Sequence, residues 1–248
     1  MSFHKILFLA EGQLGDLLLL TPALRAVKES FPSSLVSVLV VERRGEVAAT
    51  EKTFEDLNVT PAEHGQSVLG SNPHVDQLLI LNRESLRSLH GFARLNAEWK
   101  IMRFLRRQKF DIVVCTFPED RFAEWAFASG ASTRVGQRNQ KLQWLLTHTP
   151  DIEKGVKGVL EYYCDLVRAI GVTVRSNVSE YIIPASSFEW AKGFFDVTKI
   201  SAAEKLIAVH PGATGNYRIW PPERYAALID HLSINNKVIL LGGTLDEP

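Results

Sequence analysis

Four short runs in this chain are almost entirely apolar: HKILFLA (4–10), LVSVLVV (35–41), QLLIL (77–81) and FDIVVCT (110–116). They constrain the fold more than any other feature. A strand with one wet face alternates apolar and polar residues. Strands this uniformly apolar need cover on both faces, as in a parallel sheet crossed by helices. The intervening sequence supplies such helices. Between 17 and 31, Leu20, Leu24, Val27 and Phe31 recur at helical spacing, with Arg25, Lys28 and Glu29 on the other side. Pro22 either kinks this helix or restarts it with Thr21 as cap. Residues 153–170 read as another helix, with Val159, Tyr163, Leu166 and Ile170 in register and Gly171 as its terminating residue. Residues 42–76 are poorly periodic and read as a short helix plus loops.

A composition shift follows at 172–187, which is rich in Ser, Val and Thr and contains Pro184. Beyond 204 the pattern restarts. KLIAVH (205–210) is a strand, PPERYAALIDHL (221–232) a helix with proline in its first turn, and KVILLGG (237–243) a strand. The expected organisation is a Rossmann-like domain over 1–175, a linker region over 176–204, and the start of a second such domain over 205–248. One βαβ unit is less than a Rossmann-like domain contains. The second domain is therefore expected to be incomplete, and the 248-residue chain to be truncated at its C-terminus.

Composition removes several functions. Lys+Arg and Asp+Glu are 28 each, so the net charge is zero. A dedicated nucleic-acid binder would be strongly basic, and no nucleic-acid partner is expected. Cys115 and Cys164 both lie in apolar contexts and read as buried thiols, not as a disulfide framework or a zinc site. No apolar stretch approaches the ~18 residues of a membrane span. The N-terminal apolar run is short, broken by Glu11 and without a small-residue cleavage site, so the expected location is cytoplasmic. No metal and no cofactor is expected.

Three loops carry the candidate chemistry. The first, EGQLGDLLLLTPAL, holds Gly12 and Gly15 after the first strand, but it is not GxGxxG. Asp16 falls at the helix start. The helix dipole stabilises a carboxylate there, and that carboxylate would repel a pyrophosphate at the same place. It suits a base that takes a proton from a neutral hydroxyl; the plainer alternative is that Asp16 only caps the helix. The second loop, HPGATGNYRIWPPERY, combines Gly212 and Gly215, the Thr214 hydroxyl and the Arg218 cation ahead of a helix N-terminus. Those are the parts of an anion site, or of an ordinary turn with a surface arginine. The third, GGTLDEP, follows Gly243 with Asp246 and Glu247, either of which can accept hydrogen bonds from ribose hydroxyls. A solvated chain end looks the same.

Five segments, in order and spacing, resemble glycosyltransferase family 9, the ADP-heptose:lipopolysaccharide heptosyltransferases. They are GQLGDLLLLTPALRAVKESFP (12–32), NPHVDQLLIL (72–81), FDIVVCTFPEDRFAEWAFASGASTRVGQ (110–137), EYYCDLVRAIGV (161–172), and VHPGATGNYRIWPPERYAALIDHL with VILLGG (209–243). The resemblance implies a GT-B architecture: two Rossmann-like α/β domains with parallel sheets, the first binding the acceptor and the second the nucleotide-sugar. It implies inverting, metal-independent transfer of a heptose from ADP-heptose to a lipid-linked, anionic inner-core saccharide. Asp16 matches the family's catalytic base, with Gly12 and Gly15 in the acceptor-side loop. Thr214, Gly215, Arg218, Gly243, Asp246 and Glu247 fall on the donor side. Arg218 stands where the family usually has lysine, which keeps the cation but replaces a point charge with a bidentate fork. Alternatives are a non-catalytic glycolipid or nucleotide-sugar binding protein, and a relative using another nucleotide-sugar. A nicotinamide-dependent oxidoreductase is disfavoured by the missing GxGxxG.

Residues 83–109 hold eight basic side chains and only Glu84 and Glu98 against them. Leu95, Trp99, Met102 and Leu105 are expected on one helical face. The basic side reads either as the solvated face of a sheet-covering helix or as a surface for anionic lipid headgroups or a phosphorylated glycolipid acceptor. The second reading places the chain in peripheral contact with the cytoplasmic face of the inner membrane.

Overall fold

All four apolar runs are strands, and they lie in one parallel sheet. The computed structural model describes residues 5–42, 68–82, 86–138, 141–151, 157–201, 203–213 and 216–242. Most of the poorly periodic 42–76 segment falls outside them. The chain divides into two compact units, Met1–Ile182 and Ile183–Pro248.

In the first unit, β1 (Lys5–Glu11), β2 (Leu35–Glu42), β3 (Gln77–Asn82), β4 (Ile112–Cys115) and β5 (Thr133–Val135) form a sheet of order β3-β2-β1-β4-β5, every neighbouring pair parallel. Both faces are covered. Ile6, Phe8, Ala10, Val36, Val38 and Val40 pack with α1 (Leu14–Ser30) and α4 (Val159–Arg168). The alternate residues Leu7, Leu9, Leu39, Val41, Val113 and Cys115 pack with α2 (Gly91–Gln108) and α3 (Asp120–Ser129). This two-sided burial is why the strands lack alternation. Both cysteines are buried free thiols.

Helix α1 runs through Pro22 and does not restart there. Proline cannot donate to the carbonyl of Leu18, four residues back. The Thr21 hydroxyl donates to that carbonyl instead, at 2.8 Å. The same hydroxyl accepts the Glu180 backbone N–H at 3.0 Å. Residues 176–180 are strapped to α1 around this point. Arg25 donates to the Glu180 carboxylate at 2.8 Å and to the carbonyls of Ser176 and Val178. His74 Nε2 lies 3.0 Å from the other Glu180 oxygen. Glu180→Ala takes a half-buried carboxylate away from Arg25 and His74. A loss of about 1–2 kcal/mol is expected, discounted for partial exposure. Chemical denaturation measures it, and an unchanged midpoint would mean the strap contributes nothing.

On α2 the burial differs from the expected face. Ile101 and Leu105 are buried, whereas Leu95 and Trp99 are exposed. The cause is geometric. Each step of three residues falls about 60° short of a full turn, so a stripe built from Leu95 through Trp99 and Met102 to Leu105 slides around the helix from the solvent side to the core side.

The second unit contains α5 (Ala185–Thr198), β6 (Leu206–Val209), α6 (Pro222–Ser233) and β7 (Lys237–Leu240). Strands β6 and β7 pair in parallel, Leu206 with Lys237 through Val209 with Leu240. The βαβ unit is therefore present. Helix α5 lies within the 176–204 region, which was expected as a linker.

Candidate functional site

In the first unit's sheet the chain winds outward from β1 through β2 to β3, then crosses back to β4 on the other side of β1. The loops leaving β1 and β4 thus run to opposite faces. In open α/β sheets the crevice at such a reversal, beyond the carboxyl ends of the strands, is where ligands bind. On the β4 side, Thr116 closes the strand end onto β1. Its backbone N–H and its hydroxyl both donate to the Leu9 carbonyl, at 3.0 Å each. On the β1 side, Gly12 donates to the Val41 carbonyl at 2.9 Å and extends the ladder by one step.

Asp16 rises from this edge. Helix α1 opens at Leu14 with Gln13 as its N-cap residue. Asp16 is therefore in the first turn and is not the cap itself, half-buried among the helix's orphan N–H groups. A Cβ added to the adjacent Gly15 would meet no heavy atom within 4 Å, so the helix surface at Gly15 is open.

Two further groups belong to this cluster. Glu11 ends β1 and is only 3% exposed. Tyr163 comes from α4 and is buried against the α1 side of the core. Burial pushes its phenol well above the usual range, and the carboxylates of Asp16 and Glu11 push it further the same way. Tyr163 is thus held as a neutral phenol in the field of two acids. The ring of Tyr162 tilts against it, centroids 5.4 Å apart, and the Tyr162 hydroxyl is buried without a hydrogen-bond partner among the described residues. From sequence, Tyr163 belongs to an apolar stripe and Glu11 opens the loop after the first strand, and neither stands out as a neighbour of Asp16; the structure instead ends β1 at Glu11. The tyrosine pair Tyr162–Tyr163 in a short amphipathic helix was the available signal.

Cys115 ends β4 close by. Burial drives its thiol pKa far up, which leaves it inert as a nucleophile. Among the described residues no group of three or more His, Cys, Asp or Glu side chains is arranged to hold a metal ion.

In the second unit, Arg218 ends a short 3-10 turn, Asn216–Arg218. Its guanidinium lies over the Tyr217 ring, 5.3 Å from the centroid. Trp220 packs edge-on against Tyr225 at 5.0 Å and fixes the entry to α6. That helix begins with Pro222 at its first turn and Glu223 next to it. Arg218 therefore stands exposed just ahead of a helix N-terminus. Thr214, Gly215, Gly243, Asp246 and Glu247 lie outside the described residues.

The sheet order and the second βαβ unit are those of an α/β protein built from Rossmann-like units. The profile of glycosyltransferase family 9 (heptosyltransferase) matches residues 98–247, and the chain belongs to that family. It is 20% identical over 235 residues to lipopolysaccharide heptosyltransferase 3 of Escherichia coli, covering 92% of this chain and 61% of the relative. A glycosyl transferase family 9 crystal structure from Veillonella parvula superposes with a TM-score of 0.77 at 20% identity, covering 99% of this chain and 64% of that one. An E. coli heptosyltransferase with ADP-2-deoxy-2-fluoro heptose superposes with a TM-score of 0.68 at 16% identity, covering 97% and 69%. The chain thus spans a little under two thirds of the length of the curated relative. Among the described residues no helix is long and apolar enough to cross a membrane.

Proposed function

We propose that this chain serves inverting glycosyl transfer, moving a heptose from ADP-heptose to a lipopolysaccharide inner-core acceptor. The observation that carries the reading is Asp16: a carboxylate in the first turn of α1, at the sheet's reversal point. In this reading Asp16 takes the proton from the acceptor hydroxyl as that oxygen attacks the anomeric carbon, and Gly12 and Gly15 let the acceptor approach. An aspartate with pKa near ~3.9 is a weak base, so the proton moves late, in a site cleared of water. Tyr163 and Glu11 hold the neighbouring polar positions.

The leaving ADP gains negative charge. Arg218, the N-terminus of α6 and Thr214 offset it. Gly215 and Gly243 allow close backbone approach, and Asp246 or Glu247 accepts from the ribose hydroxyls. Family membership and the ADP-sugar in the E. coli structure support this donor assignment. The sequence contains no Asp-x-Asp motif, which supports transfer without a metal. The reaction is placed in the cytoplasm, at the inner-membrane face where a lipid-linked acceptor is reached.

Calorimetric titration tests the donor side. ADP is expected to bind at least tenfold tighter than UDP or NAD. Tight NAD binding without ADP binding would overturn the reading in favour of a dehydrogenase.

A further inference from the structure

The water-facing side of α2 is built unlike a solvated helix face. Phe92, Leu95 and Trp99 are 84%, 69% and 54% exposed. At about 100° per residue they occupy one arc opposite the buried Ile101. Arg103 shares that arc and lies over the Trp99 ring, 5.0 Å from its centroid. Over residues 91–109 there are six basic side chains to a single acid, Glu98. That acid is turned away from the arc, since it accepts the Trp125 indole N–H at 3.0 Å and pairs with Arg121 at 3.3 Å. The outer face is therefore apolar and cationic together. Helix α3 covers the same side of the sheet and adds exposed Phe127, with Arg134 stacked over it.

We propose that this face of α2, led by Phe92, Leu95 and Trp99 and flanked by Arg103 and Arg107, docks on an anionic lipid bilayer. Three large apolar side chains on successive turns form a convex ridge that enters the headgroup layer, while the arginines pair with lipid phosphates. A tryptophan under an arginine suits that depth, because each has an apolar body and a polar end. A second copy of this chain is a poor occupant, since two such cationic faces repel each other. The inference rests on the proposed function only for the lipid-linked character of the acceptor.

The test is sedimentation of the whole chain with vesicles of 30% phosphatidylglycerol in phosphatidylcholine, against pure phosphatidylcholine, at about 0.1 M salt. Anionic vesicles are expected to bind at least tenfold more tightly than neutral ones. R103E/R107E is expected to lose at least tenfold, at about fivefold or more per arginine, and R103K/R107K to retain binding. F92S/W99S is expected to lose at least tenfold with its melting unchanged. Equal binding to both vesicles, or unaltered binding by the charge-reversed and serine variants, overturns the proposal. A dimer that Trp99→Ser dissociates, with vesicle binding unchanged, assigns the face to a second copy. Binding to polyglutamate but not to vesicles assigns it to an acidic protein. No sugar transfer is read in these assays. A chain that transfers heptose yet ignores vesicles refutes this inference and leaves the proposed function standing.

Discussion

Asp16→Asn is expected to lower kcat for sugar transfer by about 10²–10⁴-fold, the range a positioned general base contributes, while leaving donor KM and melting temperature nearly unchanged. The substitution keeps shape and removes only charge and basicity. Its structural cost is small: an acid in the first turn gains about 0.3–1 kcal/mol from the helix dipole, and the N-cap position belongs to Gln13, which Asn at 16 leaves untouched. The two readings of Asp16 separate cleanly. A residue that merely steadies α1 would change stability slightly and turnover hardly at all. A base would do the reverse. Steady-state kinetics beside a thermal melt distinguishes them, and a variant as fast as the parent removes the assignment.

Trp125→Ala is expected to cost the first unit roughly 3–5 kcal/mol, the usual range for truncating a buried aromatic. Trp125 is fully buried in the α2–α3 side of the core and stacks on Phe122, centroids 5.9 Å apart. Its truncation opens a cavity between α3 and the sheet and leaves one Glu98 oxygen without its indole donor. The Arg121 guanidinium, 5.9 Å from the indole centroid, loses its ring as well. For a unit of this size the melting temperature should fall by roughly 6–20 °C. Trp125→Phe, which keeps most of the volume and loses the donor, should fall between the two. A melt of Trp125→Ala within a degree of the parent would contradict the packing described.

The strands were legible because two-sided burial removes polar residues from every position, a signal that survives in bare composition. The parallel β6–β7 pair was legible from two apolar runs around one amphipathic helix. Pro22 was not, because its resolution depends on a hydroxyl one residue away and a backbone N–H 159 residues away. The outer face of α2 was misread because a heptad-like stripe looks continuous on paper while drifting around a real helix. Asp16 stood out by its place at a strand-to-helix turn. Glu11 and Tyr163 did not, since α4 returns to the β1 edge only after some 150 residues, and no local pattern records that return.

The strap at Thr21 gives α1 a second employment. The helix that presents Asp16 at one end is gripped in its middle, through Thr21 and Arg25, by the stretch of chain that runs on past Ile182 into the second unit. The Thr21 hydroxyl thus serves two distant pieces of chain at once: it takes up the carbonyl that Pro22 cannot reach, and it holds residues 176–180 against the helix that carries Asp16.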